Sequence, residues 1–242
     1  MSHTPNVISP PGTPLPDRSV GELVAERPGR SRVFQSFAID FCCQGARTLG
    51  EACEKKGVPL DAVIEQLEAE LADPAPPQQN PAELPPDELI TYILEQHHEF
   101  LRRELPRLHA MAERVAHVHG GHTASLVEIF EVFVGLKEEL TGHMMKEEQI
   151  LFPAIVALCG GDTMPPGSFD GPIDCMVHEH DNAGAALARL RDLSNGYQAP
   201  VDACNTYRAL FAGLQDLEED LHRHIHLENE VLFPAAQGML AS

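Results

Sequence analysis

From about residue 87 onward, apolar residues recur in alternating steps of three and four. The first such segment, about 87–118, carries His98, Leu101, Leu105, Leu108, Ala112 and Val115 on one face. A second, about 123–158, places Leu126, Phe130, Phe133, Leu140, Glu147 and Leu151 in the same way. A third, about 172–194, uses Ile173, Val177, His180, Gly184 and Leu187. The fourth, about 201–233, runs Tyr207, Leu210, Leu214, Leu217, Leu221, His224, Glu228 and Val231. Residues so spaced form one stripe of an α-helix. Four such helices with short connections are expected to pack as an up-down-up-down bundle.

Upstream, residues 17–72 predict a small helical module without strand-like alternation. Ser31 can cap a short helix through Phe37, Thr48 another carrying GEACEKK, and Pro59 opens PLDAVIEQLEAEL at the favoured first position. The stretch ADPAPPQQNPAELPPDE, residues 72–88, holds six prolines and cannot form regular helix. An all-α chain follows, with a disordered tail over 1–16, the module over 17–72, a Pro-rich linker over 73–86 and the bundle over 87–242.

The residues that interrupt the apolar seams are histidine and glutamate. HMMKEEQILFP, residues 143–153, is nearly repeated as HIHLENEVLFP, residues 224–234. Each copy keeps His-x-x-x-Glu and closes on Leu-Phe-Pro, where Pro153 and Pro234 are expected to disrupt the helix. Residues four apart share a helix face, separated by about 6 Å of rise. His143 with Glu147, and His224 with Glu228, can therefore both point into the bundle, joined by His98 and His180. Two coincidental pairs on solvated faces would explain one copy, but not two copies on the seam. Buried carboxylates without compensation cost several kcal/mol each. A dinuclear metal centre supplies that compensation, with carboxylates bridging two cations and imidazoles capping them. Mixed His and carboxylate ligands suit non-haem iron, with manganese and zinc as lesser candidates.

Other histidines fit the seam less well. His97, His178, His222 and His226 lie one or two positions off it and are expected at the surface or behind the ligands. His119 shares the face of His98, but 21 residues of helix separate them by about 32 Å, too far for one site.

Charge narrows the partners. Acidic residues number 37 against 17 basic ones, a net charge of −20, which opposes nucleic acid and anionic lipid. No apolar run approaches the roughly 18–20 residues of a membrane span. The first sixteen residues have neither the basic start nor the apolar core of a secretory signal. Six cysteines, two adjacent, do not resemble a disulfide framework, so a reducing cytoplasm is expected. Cys42 and Cys43 read as a thiol pair at the end of a short helix, where nearby Arg47 would favour thiolate. Two structural cysteines are the plainer alternative.

The order His-x-x-x-Glu differs from the Glu-x-x-His of ferritin-like bundles and is similar to the hemerythrin-like family over about residues 87–235. Hemerythrin oxygen carriers have His-x-x-x-His on the third helix. Here the partner of His180 is Gly184, which would open a coordination position and weakens an oxygen-carrier reading. With the Asp-Phe-Cys-Cys of residues 40–43 and EHDNAG of 179–184, the chain resembles the Repair of Iron Centers (YtfE/ScdA) family over nearly its whole length after residue 17. The resemblance implies a di-iron stress-response protein that helps restore iron–sulfur clusters damaged by nitric oxide or oxidants. It implies two non-haem irons, oxo- or carboxylate-bridged, held by His98, His143, Glu147, His180, His224 and Glu228, with Cys42 and Cys43 working beside them. Damaged iron–sulfur proteins or apo-cluster scaffolds would be the partners, and nitric oxide or oxygen the small ligands. An iron donor leads. A nitric oxide-binding or nitric oxide-reducing protein, an enzyme only in the reducing case, and an oxygen or redox sensor are the alternatives.

Overall fold

The structure is a computed structural model that describes residues 9–10, 12–72, 80–165 and 167–240. Most of the expected tail (1–8 and 11) and half of the linker (73–79) lie outside the described residues. Helices dominate; the β-pairing among the described residues is one isolated bridge, Ser19 with Thr48. No described helix is long and apolar enough to cross a membrane.

Two compact units divide the chain. The first to consider comprises Thr91–Ala154 and Cys175–Leu221. It holds the bodies of four long helices: α6 (Glu99–His119), α7 (Ser125–Lys146), most of α9 (Asp170–Leu193) and most of α10 (Asn205–Leu227). This is the expected four-helix bundle. Leu101, Leu105, Leu108, Ala112 and Val115 of α6 are buried as the periodicity predicts. Each such leucine contributes about 1.5–3 kcal/mol through loss of apolar contact with water. On α7 the seam is Leu126, Ile129, Phe133, Leu136 and Leu140. Phe130, expected on that seam, is half-buried and packs against the ring of His109 at 5.4 Å. On α9, Met176 is buried where Val177 was expected.

The second unit comprises residues up to Ile90, Ile155–Asp174 and His222–Ser242. Its helices are α1 (Val20–Glu26), α2 (Arg30–Ser36), α3 (Leu49–Lys56) and α4 (Leu60–Ala72). Most of α5 (Pro86–Ile93), the end of α8 (Phe152–Cys159) and α11 (Phe233–Leu240) also lie here. Thr48 forms the expected cap, accepting from Glu51 N–H while the Glu51 carboxylate accepts from Thr48 N–H. Ser31 does not cap. The helix begins at Arg30, and the Ser31 hydroxyl donates to the Pro28 carbonyl at 2.7 Å, since Pro28 already fixes the preceding turn. Val63 N–H bonds the Pro59 carbonyl, so Pro59 sits just ahead of α4 rather than at its first position.

Pro153 and Pro234 do not end their helices. In each repeat the chain inserts one π-helical turn, Glu147–Leu151 and Glu228–Leu232, and resumes as α8 and α11. Phe152 N–H bonds the Glu147 carbonyl and Phe233 N–H the Glu228 carbonyl, five residues back. Proline clashes with the carbonyl four residues earlier and lacks an N–H. The wider turn just before it accommodates both defects. It also shifts the face, so that Leu232 is buried and Val231, expected on the seam, is half-buried. A third π turn, Leu94–His98, joins α5 to α6.

Candidate metal centre

His98, Glu147 and Glu228 all lie in these π turns. Single π turns inside α-helices occur frequently at functional sites because they turn a side chain out of the regular helical register.

In the bundle unit, four of the expected ligands converge. Glu147 is fully buried, and each of its oxygens faces an imidazole. Oε2 lies 3.4 Å from His98 Nε2 and Oε1 lies 3.4 Å from His143 Nε2. His180 Nε2 is 3.0 Å from His143 Nε2. Two imidazole nitrogens bound at about 2.1 Å and a right angle on one cation would be about 3.0 Å apart. Ligand atoms of His143, Glu147 and His180 all lie within 4.8 Å of one another, as do those of His98 and Glu147. The donor set therefore fits a cation on either side of Glu147.

Carboxylates orient these imidazoles from behind. His98 Nδ1 is 2.7 Å from Glu148 Oε1, and His143 Nδ1 is 2.9 Å from Glu179 Oε2. A carboxylate at Nδ1 holds the proton there and leaves the Nε2 lone pair directed inward. Arg102 pairs with Glu148, and Lys146 with Glu179. Burial pushes the Glu179 carboxyl up, but Lys146 and His143 outweigh it and hold the group below its ordinary value. The ring of His98 also stacks on Phe152 at 5.8 Å. Sequence reasoning missed Glu148 and Glu179. The signal available was that each is adjacent to a proposed ligand, at Glu147 and His180.

The other unit carries the second pair. His224 Nε2 lies 3.0 Å from Glu228 Oε1, with both side chains almost wholly buried. In the next residue, the Asn229 amide donates to the Cys42 carbonyl at 3.1 Å. Burial, aided by the charge of Asp40, pushes the Glu230 carboxyl up to about 7.

The remaining histidines divide. His97 is buried, with Nδ1 3.0 Å from Asp220 Oδ1. His226 is buried against the ring of Phe41, and burial pushes it down to about 4, which keeps it neutral. His178 is exposed and His222 half-buried. The Nε2 of His119 is 3.4 Å from Cys204 Sγ and its ring lies beside Tyr207, in no cluster with the candidate ligands.

Cys42 and Cys43 do not end a helix. They lie in the bend between α2 and α3. The Cys42 thiol is pushed well above its ordinary value by the neighbouring Cys43 thiol, by burial and by Asp40, so isolated thiolate is disfavoured there. No disulfide forms among the described residues.

The sequence comparisons now bear on this arrangement. The hemerythrin HHE cation binding domain matches residues 89–236, and the ScdA_N domain (a domain of unknown function, DUF542) matches residues 16–71. An iron-sulfur cluster repair protein YtfE of Musicola paradisiaca (strain Ech703) is 40% identical over 220 residues, 91% of this chain and 96% of that protein. The chain belongs to the YtfE family. The protein of that name from Pectobacterium atrosepticum is 39% identical, and that of Escherichia coli O1:K1 / APEC 38% identical. Both span 91% of this chain and 96% of their own length. The hemerythrin match covers all six expected ligands, and the ScdA_N match covers Cys42 and Cys43.

Proposed function

We propose that this protein helps repair iron–sulfur clusters damaged by nitric oxide or oxidants, acting in the cytoplasm as an iron donor. Damaged iron–sulfur proteins or their apo-scaffolds would be the recipients. The observation that carries this reading is Glu147, fully buried with one histidine Nε2 before each oxygen. In the proposal two non-haem irons would be held by His98, His143, Glu147, His180, His224 and Glu228, with Glu147 and Glu228 as the carboxylate ligands. Support comes from the hemerythrin match, which spans all six residues, and from repair function in the names of the relatives. The small module, 17–72, and the bundle, 87–242, would be the two domains joined by the Pro-rich linker, with the module working beside the metal site through Cys42 and Cys43.

Bound iron would supply redox chemistry and positions for small ligands. The chain's own residues do the rest. Glu148 and Glu179 keep Nδ1 of His98 and His143 protonated, so both rings present Nε2 inward. Arg102 and Lys146 hold those carboxylates in place. Proton delivery to a histidine or glutamate ligand weakens its hold on a cation and thereby favours release. Gly184, one turn after His180, would leave space for a small ligand.

The test is to seal reduced, iron-loaded protein with excess nitric oxide, an electron donor and an apo-cluster acceptor. Iron appearing in the acceptor, with at most one equivalent of nitrous oxide per centre, is expected. Many equivalents of nitrous oxide, with iron retained, would instead make the protein a nitric oxide reductase.

A further inference from the structure

Asp40, Cys42 and Cys43 form a second cluster of donors. The turn that assembles them is built by Asp40. Its Oδ1 accepts the backbone N–H of Cys42 at 3.1 Å, of Cys43 at 2.9 Å and of Gln44 at 3.3 Å. Successive side chains on an extended strand point to opposite faces. This turn instead brings the two sulfurs to 3.7 Å from one another, with Cys42 Sγ 3.4 Å from Asp40 Oδ1. Ligand atoms of all three residues lie within 4.8 Å of one another. Two thiolates bound to one cation at about 2.3 Å and the tetrahedral angle would be about 3.8 Å apart. The observed spacing is close to that edge.

A separate observation points to a missing positive charge. Glu230 is 93% buried, being 7% exposed, and neither carboxylate oxygen has a hydrogen-bond partner among the described residues. Two glycines make room for it in this module. A Cβ on Gly21 would lie 2.9 Å from Glu230 Oε2, and one on Gly45 would overlap Oε1. Gly45 itself is two residues after Cys43. Arg47, the basic residue closest in sequence, directs its Nε to the Gln44 side chain at 3.0 Å. A carboxylate buried so deeply needs a proton or a cation.

We propose that Asp40, Cys42 and Cys43 form a cation site distinct from the six His and Glu ligands, taking one thiophilic divalent ion of the Zn²⁺ or Cd²⁺ kind. Both sulfurs bind as thiolates, so two protons leave as the ion enters. Asp40 supplies a carboxylate oxygen to the ion as well as holding the turn. Glu230, packed against Gly45 two residues after Cys43, adds negative charge to the same turn, and half-buried Cys43 gives the ion a way in.

Cadmium is the probe. Added to the full-length, iron-loaded protein, it should give a thiolate-to-cadmium charge-transfer band that saturates at a single ion per chain. The iron content should stay unchanged. Cys42→Ser and Cys43→Ser should each weaken the binding by at least about tenfold, and the double variant should lose the band. Asp40→Asn keeps an oxygen for the turn and should weaken binding about tenfold without loss of helical signal. Cys53→Ser should change nothing. Absence of the band, or its survival in the double variant, would overturn the site. Iron content is read separately, so this outcome leaves the proposed function untouched.

Discussion

The two copies of His-x-x-x-Glu share a local design and differ in what stands just behind it. In the first copy, the residue after Glu147 is Glu148, which holds the Nδ1 of His98 and is itself held by Arg102. In the second, the residue after Glu228 is Asn229, which donates to the Cys42 carbonyl instead. The next position repeats the contrast: Gln149 is exposed, whereas Glu230 is buried against Gly21 and Gly45. One copy thus turns its outer residues to the service of the bundle histidines. The other turns them to the Cys-bearing turn. Equal spacing dictates where a pair points along a helix, while neighbours decide what the flanking residues do.

Substitutions can separate these roles. The largest effect is expected from Glu147→Leu or Glu228→Leu, each of which should abolish the dinuclear centre and leave a helical protein. Iron per chain, measured beside circular dichroism, checks this; a variant that kept its full iron would remove that glutamate from the ligand set. Next come Glu148→Gln and Glu179→Gln. Both should lower metal affinity by about 10–100-fold, because the imidazoles lose the carboxylate that orients them. If competition with a chelator showed no change, the histidines would be held by packing alone.

The flanking residues of the second copy should respond in stability rather than in metal. Asn229→Ala leaves the Cys42 carbonyl without its donor and should cost about 1–3 kcal/mol in denaturant unfolding. Gly45→Ala forces its Cβ onto Glu230 and to 2.8 Å from the Phe41 carbonyl, for a loss of about 1–3 kcal/mol. Glu230→Ala should recover part of that loss, a coupling that a double-mutant cycle would read directly. The smallest effect belongs to Cys42→Ser with Cys43→Ser, which should leave the iron spectrum intact. A changed spectrum would mean that these sulfurs reach the iron.

Helical periodicity was enough to locate all four bundle helices, because burying an apolar stripe demands a fixed spacing whatever the partner helix. The same reasoning singled out His98, His143, Glu147, His180, His224 and Glu228, polar residues on stripes that water does not reach. The capping box of Thr48 and Glu51 was equally legible, being a contact between residues three apart.

What escaped were one local irregularity and the features set by groups distant in the chain. The π turns at Glu147 and Glu228 absorb the prolines that spacing alone reads as stops. The carboxylate behind His143 comes from Glu179, 36 residues away, and the partner of Asn229 lies 187 residues away. The Cys42 thiol, for which nearby Arg47 was read as favouring thiolate, is instead pushed well above its ordinary value by the adjacent Cys43 thiol, by burial and by Asp40. Periodicity records which face of a helix is dry. Which groups meet on that face, and how each shifts the other's charge, depends on contacts that form only when separate segments pack together.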